Sequence, residues 1–421
     1  MTNSCLRPPH DVGSSVFCRC PCQGAGIGEP RPGERGYAGR ACRRTCQGAG
    51  IGGPRSCERS YGVMTRILHI LPRVPPAVCG IGDYAWLLAQ SLRDEHDIHS
   101  SFLAAGTTWT EPQGETEFLV FRLPDLSTRA LVEWVEARKE EFSAVVLHMS
   151  SYGYQKRGVP LWLAFGWGQL SQMPRRPRLI TMFHELYASG SMRSSAFWLQ
   201  PLQKWVLRRV ARTSDALRTN RQAYADWLRG NAGPPTSEVV VMPVFSNMQE
   251  ATEGEAEPAE RWQGMTVFAS TFDDEQSTAL AEVCRRLRIQ RVGWIGRREP
   301  PSLGKELSVR HIAHLPAQEA RDWFRFHGHA WTGYNPAFLA KSGIFAAFAA
   351  YRTAVVLPEA RGLLADGLME GVHYTTPGSA SAADSLRLSQ ALHGWYVPHN
   401  ITFTAASYAA QITGKPVSSF A

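Results

Sequence analysis

Beyond residue 63 the chain has only two cysteines, Cys79 and Cys284, against seven in the first 63 residues (Cys5, Cys18, Cys20, Cys22, Cys42, Cys46 and Cys57). Two thiols in so long a body exclude a disulfide framework, and the body reads as a reduced, cytosolic protein. Long apolar runs are lacking as well. The longest, Val159 to Leu170, is interrupted by Gly166 and Gly168 and falls short of the roughly 20 residues that a membrane helix requires. Neither a signal peptide nor a membrane span is visible. Charge of one sign is also scarce. The formal net charge is +8, but residues 1–63 hold nine Arg against four acidic residues, so only +3 remains for the other 358. That remainder gives no support for a nucleic-acid partner.

What is present is enough apolar sequence for more than one core: 421 residues, 44% of them hydrophobic and 19% charged, favour two domains in the body. The first 63 residues stand apart. Cys22-Gln-Gly-Ala-Gly-Ile-Gly28 recurs 24 residues later as Cys46-Gln-Gly-Ala-Gly-Ile-Gly52, with almost no large aliphatic side chains between. Repeats that share no apolar face build neither a solenoid nor a core. A zinc site from Cys18, Cys20, Cys22, Cys42 and Cys46 misses the paired C-x2-C spacing. Residues 1–63 therefore read as a disordered or spuriously translated leader, with Met64 as an alternative start.

From Met64 onward, strand-like and helix-like segments alternate. Ile67–Leu71, Ile98–Leu103, Phe118–Arg122, Ala144–His148, Leu179–Phe183, Asp215–Thr219 and Val239–Met242 are the strands of a first half. Helices are expected at Tyr84–Leu92, Ala130–Glu141, Trp198–Val210 and Gln222–Arg229. Such alternation implies parallel strands covered by helices. An acidic stretch without periodicity, Gln249 to Glu260, precedes a second set of strands at Met265–Ala269, Val292–Ile295, Ala330–Thr332 and Ala354–Leu357. The division is a first Rossmann-like domain at 64–246, a linker at 247–260, a second Rossmann-like domain at 261–395 and a helical tail at 396–421, the domains facing across a cleft.

Two stretches combine an apolar strand with a small-residue helix start, which offers unpaired amides and a positive dipole end to an anion. In the first, a proline-rich loop leads to Gly80-Ile81-Gly82-Asp83, with bare glycine backbone for close approach to a ligand and Asp83 as N-cap. Gly80-x-Gly82-x-x-Ala85 also matches a dinucleotide fingerprint, but eight residues separate the strand from Gly80 and the next strand ends without a carboxylate for a ribose. An NAD-linked oxidoreductase is thus a minor alternative. In the second, Lys341-Ser342-Gly343 after Asn335 supplies a cation, a hydroxyl and bare backbone, which suits a diphosphate. No G-x4-G-K-[ST] precedes it, so the pattern is not a Walker A loop. Gly296-Arg297-Arg298 adds a basic loop on the same rim.

His184-Glu185 ends a buried strand, the edge at which open α/β sheets place ligands. A neutral imidazole there can bond a sugar hydroxyl, with Glu185 orienting it or acting as a base. His148, at the end of the preceding strand, is a further cleft candidate. Asp273-Asp274-Glu275 reads as a helix start in preference to a metal site. Gln203 to Arg212, with Lys204, Arg208, Arg209 and Arg212 beside Trp205 and Leu207, combines a basic face with apolar residues; a solvated helix and a helix resting on an acidic membrane both fit.

The opening strand, the Gly80-to-Ala85 loop-helix, the Phe183-His184-Glu185 strand end, Val239-Val240-Val241-Met242-Pro243 and the Ala354-Val355-Val356 strand together resemble GT-B glycosyltransferases of the kind grouped as family 4. The resemblance covers most of Met64–Ala421. It implies a nucleotide-diphosphate sugar held mainly by the second domain and a glycan or lipid-linked acceptor held mainly by the first. It also implies transfer with no cofactor and no obligatory metal, an active-site histidine at His184, retention of anomeric configuration, and a C-terminal helix crossing back to the first domain. The expected location is cytoplasmic, with peripheral contact at the inner face of the membrane as an option. Two glutamates with seven residues between them, usual in this family, are replaced by Leu339 and Ala347. That departure keeps open a non-catalytic GT-B-like protein that binds a glycan or a partner glycosyltransferase.

Overall fold

The computed structural model describes residues 64–77, 79–108, 116–188, 195–232, 239–248, 250, 258–268, 272–358 and 365–414. The repeat-bearing leader, most of the expected linker and the last seven residues lie outside that set. Seven strands form the first sheet: β1 Thr65–Leu71, β2 Ile98–Ala104, β3 Leu119–Arg122, β4 Ala144–Met149, β5 Arg178–Phe183, β6 Ala216–Thr219 and β7 Val239–Val241. Five form the second: β8 Gly264–Phe268, β9 Arg291–Ile295, β10 Ser308–Ile312, β11 His329–Thr332 and β12 Ala354–Val356. The spatial orders are β3-β2-β1-β4-β5-β6-β7 and β10-β9-β8-β11-β12. Every neighbouring pair is parallel. This is the α/β architecture of two Rossmann-like sheets that the sequence implies.

Strands covered on both faces become near-continuous apolar runs, and β4 is buried at all six positions. Successive side chains alternate between faces. Leu68, Ile70, Val145, Leu147 and Leu179 pack with Leu163, Trp167, Val206 and Val210 from helices Leu161–Leu170 and Ser195–Arg212. The other face, with Ile67, Val146, Ile180 and Met182, shares a core with Leu88 and Leu92 of helix Gly80–His96. Ala405 and Tyr408 of the C-terminal helix, Ile401–Thr413, join that core. The tail is thus folded back onto the first sheet. Arg218 of β6, only 2% exposed, fastens it by donating to Gln411 Oε1 (2.8 Å) and Ser407 Oγ (3.0 Å), with its guanidinium 3.8 Å from the Tyr408 ring centroid.

The two halves are tied directly. Asp366, beyond β12, accepts from the backbone N–H of Gln222 (2.7 Å) and pairs with Arg221 (3.3 Å). It therefore supplies an N-terminal cap to helix Gln222–Asn231 from the opposite half. In each sheet the strand order reverses direction once, between β1 and β4 and between β8 and β11. Chains diverge at such points and leave a crevice at the carboxyl edge of the sheet.

Candidate functional site

A cavity of about 320 Å3 lies at these edges. The first half lines it with Cys79, Gly80, Ile81, Tyr84, His184, Glu185 and Asn220, and the second with Tyr334, Lys341 and Gly343. Val244, Phe245 and Asn247, beyond β7, complete the wall. The lining mixes apolar side chains with a few converging polar ones, the usual constitution of a small-molecule site.

Lys341 and Glu185 face each other across it. Lys341 Nζ donates to Glu185 Oε1 at 2.8 Å, and Ser150 Oγ donates to Glu185 Oε2 at 3.3 Å. Lys341 ends the short 3-10 turn Pro336–Lys341 after β11, with its side chain 19% exposed. Burial works against its charge, but the hydrogen bond and attraction of Glu185 outweigh it, so Lys341 lies above its ordinary pKa. The cation is held charged, and its present partner is a carboxylate.

Behind His184 runs a row of buried rings. His184 Nε2 is 3.0 Å from His148 Nδ1, His148 Nε2 is 2.9 Å from His69 Nδ1, and His69 Nε2 is 3.2 Å from Ser100 Oγ. The members come from adjacent elements: Ser100 from β2, His69 from β1, His148 from β4, and His184 just beyond β5. Strand register explains the row. His69 pairs with Val146 and His148 with Met182, so each step crosses one strand and advances two residues on the same face. Burial lowers His69 to about 3. Burial, with the charge of Lys341 adding to it, lowers His184 to about 3 as well. His148 is pushed well below the usual range by burial and then by its two neighbours. All three imidazoles are neutral at physiological pH.

Of the residues expected from sequence, His184, Glu185, Lys341, Gly343 and Gly80 meet at the cavity, and His148 stands directly behind it. Gly80 is open: a Cβ there would meet nothing within 4 Å. Gly82 is tight, since its Cβ would come within 2.7 Å of the Arg73 carbonyl oxygen. Asp83 is not the N-cap. The helix already starts at Gly80 behind Cys79, and the Asp83 N–H donates to Cys79 O (2.9 Å) as a helical bond. Close packing of Gly82 on the proline-rich loop draws the glycines into the first turn. Burial raises the Asp83 carboxyl above its usual range, with His314 pulling the other way.

Ser342 and Asn335 act as caps. Ser342 Oγ accepts from Phe345 N (3.2 Å) at the start of helix Gly343–Ala350, and Asn335 Oδ1 accepts from Ala337 N (2.9 Å). Gly296 and Arg297 follow β9, where Arg297 is exposed, and neither lines this cavity. Asp273 caps helix Asp274–Arg286 through Gln276 N. Leu339 and Ala347 are core residues, 1% and 0% exposed. Sequence reasoning missed Asn220, Tyr334, Tyr84 and His69. Asn220 follows β6 on the same rim as His184, so applying the strand-end rule to β6 finds it. His69 is a lone polar residue in an apolar strand and gives no such signal.

No family model matches the sequence, and no curated protein matches it with significant similarity. Solved structures do match by shape. TarM superposes with a TM-score of 0.54 at 6% identity, covering 83% of this chain and 99% of its own. UDP-GlcNAc 2-epimerase from Neisseria meningitidis, bound to UDP-GlcNAc, gives 0.50 at 9% identity over 83% and 100%. This chain has the GT-B fold. In a GT-B protein the cavity described above occupies the cleft between the two Rossmann-like domains.

Proposed function

We propose that this GT-B protein binds a nucleotide-diphosphate sugar in the cleft and transfers its hexose to a glycan or lipid-linked acceptor, without an obligatory metal. The observation that carries the reading is the convergence of Lys341 and the amide end of helix Gly343–Ala350 from one half with His184 from the other, around a single cavity. A cation beside a helix N-terminus suits a diphosphate. The neutral imidazole opposite suits the sugar. Held together, the reactants gain from orientation and exclusion of water, and the leaving diphosphate from positive charge already in place. The cavity, about 320 Å3, lies within the roughly 300–1,000 Å3 usual for ligands.

A second reading has its own observation. The positions that would carry ribose- and sugar-binding glutamates are buried Leu339 and Ala347, and Lys341 is already paired with Glu185. These features favour a non-catalytic GT-B protein whose cleft residues tie its halves together. Calorimetric titration of UDP, GDP and their sugar conjugates into the protein and its Lys341→Ala variant separates the two. A neighbour of this fold holds UDP-GlcNAc, so UDP conjugates come first. Micromolar binding lost at least tenfold in the variant supports transfer, since a charge-assisted hydrogen bond contributes about 1.5–3 kcal/mol. Absence of binding to any of them removes the reading.

A lipid-linked acceptor also agrees with the surface. Among the described residues no helix is long and apolar enough to cross a membrane. Helices Leu161–Leu170 and Ser195–Arg212 nevertheless expose Phe165, Trp198, Leu202 and Trp205 beside Arg208, Arg209 and Arg212. Aromatic side chains with a basic fringe suit peripheral contact with an anionic membrane.

A further inference from the structure

The row from Ser100 to His184 has one internal direction, and that direction decides what His184 offers to a ligand. A neutral imidazole carries one N–H and one bare nitrogen. Each of the two ring-to-ring bonds needs one proton, so the sense of either bond fixes the sense of the other. Two arrangements remain, donating toward the cavity or away from it.

Ser100 distinguishes them. It is 7% exposed, and His69 Nε2 is the one hydrogen-bond partner of its Oγ among the described residues. If His69 donated to Ser100, the hydroxyl proton would be left without an acceptor in a buried setting, a serious cost. The Ser100 hydroxyl therefore donates to His69 Nε2. His69 Nδ1–H then donates to His148 Nε2, and His148 Nδ1–H to His184 Nε2. The remaining proton sits on His184 Nδ1, which has no hydrogen-bond partner among the described residues and is not among the fully enclosed polar atoms. Tyr84 stands edge-on to His148 and His184 at 6.1 and 5.1 Å between ring centroids, and Phe102 stacks on His69 at 5.1 Å. These rings hold the row in place.

We infer that Ser100, His69 and His148 are positioning residues that fix His184 in the Nδ1–H form, so that it meets the ligand as a neutral hydrogen-bond donor to oxygen and not as a base. With its Nε2 lone pair engaged by His148 and its Nδ1 protonated, His184 has no free nitrogen to accept a proton. The lowered pKa of all three rings and the nearby charge of Lys341 agree with a row that stays uncharged. The oxygen it meets, a sugar hydroxyl or a phosphate oxygen of a sugar nucleotide, rests on the function proposed above. The tautomer does not.

The test is two-bond proton–nitrogen correlation spectroscopy on the full chain with 15N-labelled histidine at pH 7, using His184→Gln to assign His184. Wild type should show His184 with a protonated Nδ1 and a bare Nε2. In Ser100→Ala both senses of the row lose their anchor, and the His184 Nδ1 signal should move toward that of a bare nitrogen; Ser100→Thr should restore it. A protonated Nε2 on His184 in wild type overturns the inference, as does a Ser100→Ala spectrum identical to wild type. On adding UDP-GlcNAc, the His184 Nδ1–H signal should shift with its tautomer unchanged. If no UDP or GDP conjugate binds, the ligand assignment and the proposed function fall together while the tautomer result stands.

Discussion

Removing the Asp366 carboxylate should uncouple the two halves of the protein. Asp366 and Arg221 side chains are 6% and 10% exposed, so Asp366→Ala leaves a guanidinium in a poorly solvated place. Breaking a buried pair from one side costs about 3–5 kcal/mol, and loss of the cap on Gln222 N adds about 1 kcal/mol. Against this, Arg221 keeps its contacts with the rings of Phe338 and Tyr224, 4.4 and 4.8 Å from their centroids. We expect a net loss of about 3 kcal/mol, since the low end of the pair's range plus the cap comes to about 4 kcal/mol and the remaining ring contacts offset about 1 kcal/mol of it. Asp366→Asn, which keeps an oxygen for the cap, should lose roughly half as much. Urea unfolding followed by tryptophan fluorescence and by circular dichroism measures this. With a slope of about 3 kcal/mol per M, the midpoint falls by about 1 M. Pairing Asp366→Leu with Arg221→Met should recover the part of the loss that comes from the lone charge, while the loss of the cap on Gln222 N remains. A loss below about 1 kcal/mol in Asp366→Ala would refute the claim that this pair holds the halves together.

Three further expectations are independent of that pair. Gly82→Ala should destabilise by about 1–3 kcal/mol, because its Cβ meets the Arg73 carbonyl at 2.7 Å, whereas Gly80→Ala should leave the urea midpoint unchanged; equal midpoints in both would contradict the packing. His69 and His184 have pKa values of about 3 when folded against 6.5 ordinarily, so the unfolded chain binds more protons between those limits. Their stabilisation is full above pH 6.5 and falls by up to about 1.4 kcal/mol per unit per histidine as pH drops toward 3; His69→Gln should flatten that slope in urea titrations at pH 7, 6 and 5. Trp198→Ser with Leu202→Ser should lower partition onto anionic vesicles at least tenfold at low salt, and a wild-type protein that fails to co-sediment with them would dismiss the membrane surface.

Much of the fold was legible because parallel strands buried on both faces leave near-continuous apolar runs, as β1, β4 and β5 do. β10 was not, since Ser308-Val-Arg-His-Ile312 is an edge strand exposed at its first three positions, and its pairing with β9 leaves little trace in side-chain pattern. The start of helix Gly80–His96 was misplaced because the force that sets it, the contact of Gly82 with Arg73, is tertiary. In the cleft, strand-end position alone pointed to His184, Glu185 and His148. It could not give their partners: Lys341 is 156 residues from Glu185, and His69 is 79 from His148. Joining those needs the strand order and the register, which no local pattern encodes. Ser342 and Asn335, which the sequence offers to a phosphate, cap a helix and a turn through Phe345 N and Ala337 N, a local role that the sequence pattern equally allows.

The Lys341–Glu185 pair is where the two functional readings make opposite demands. If the pair is chiefly a tie between halves, removing the carboxylate weakens the tie and does nothing for a nucleotide. If Lys341 serves a diphosphate, Glu185 is a competitor that the ligand must displace, and the carboxylate's charge also repels the phosphates. Glu185 is 47% exposed, which caps the pair's own contribution near 1 kcal/mol after solvent screening. Glu185→Gln should therefore tighten UDP binding about threefold to tenfold, with a larger gain at low salt, and change the urea midpoint little. Isothermal titration at two salt concentrations measures both parts of the claim. Tighter binding with lower turnover would identify Glu185 as a residue retained for the reaction at the expense of ground-state affinity. Unchanged or weaker UDP binding in Glu185→Gln would mean that Lys341 does not receive the diphosphate, and the transfer reading would lose its cation.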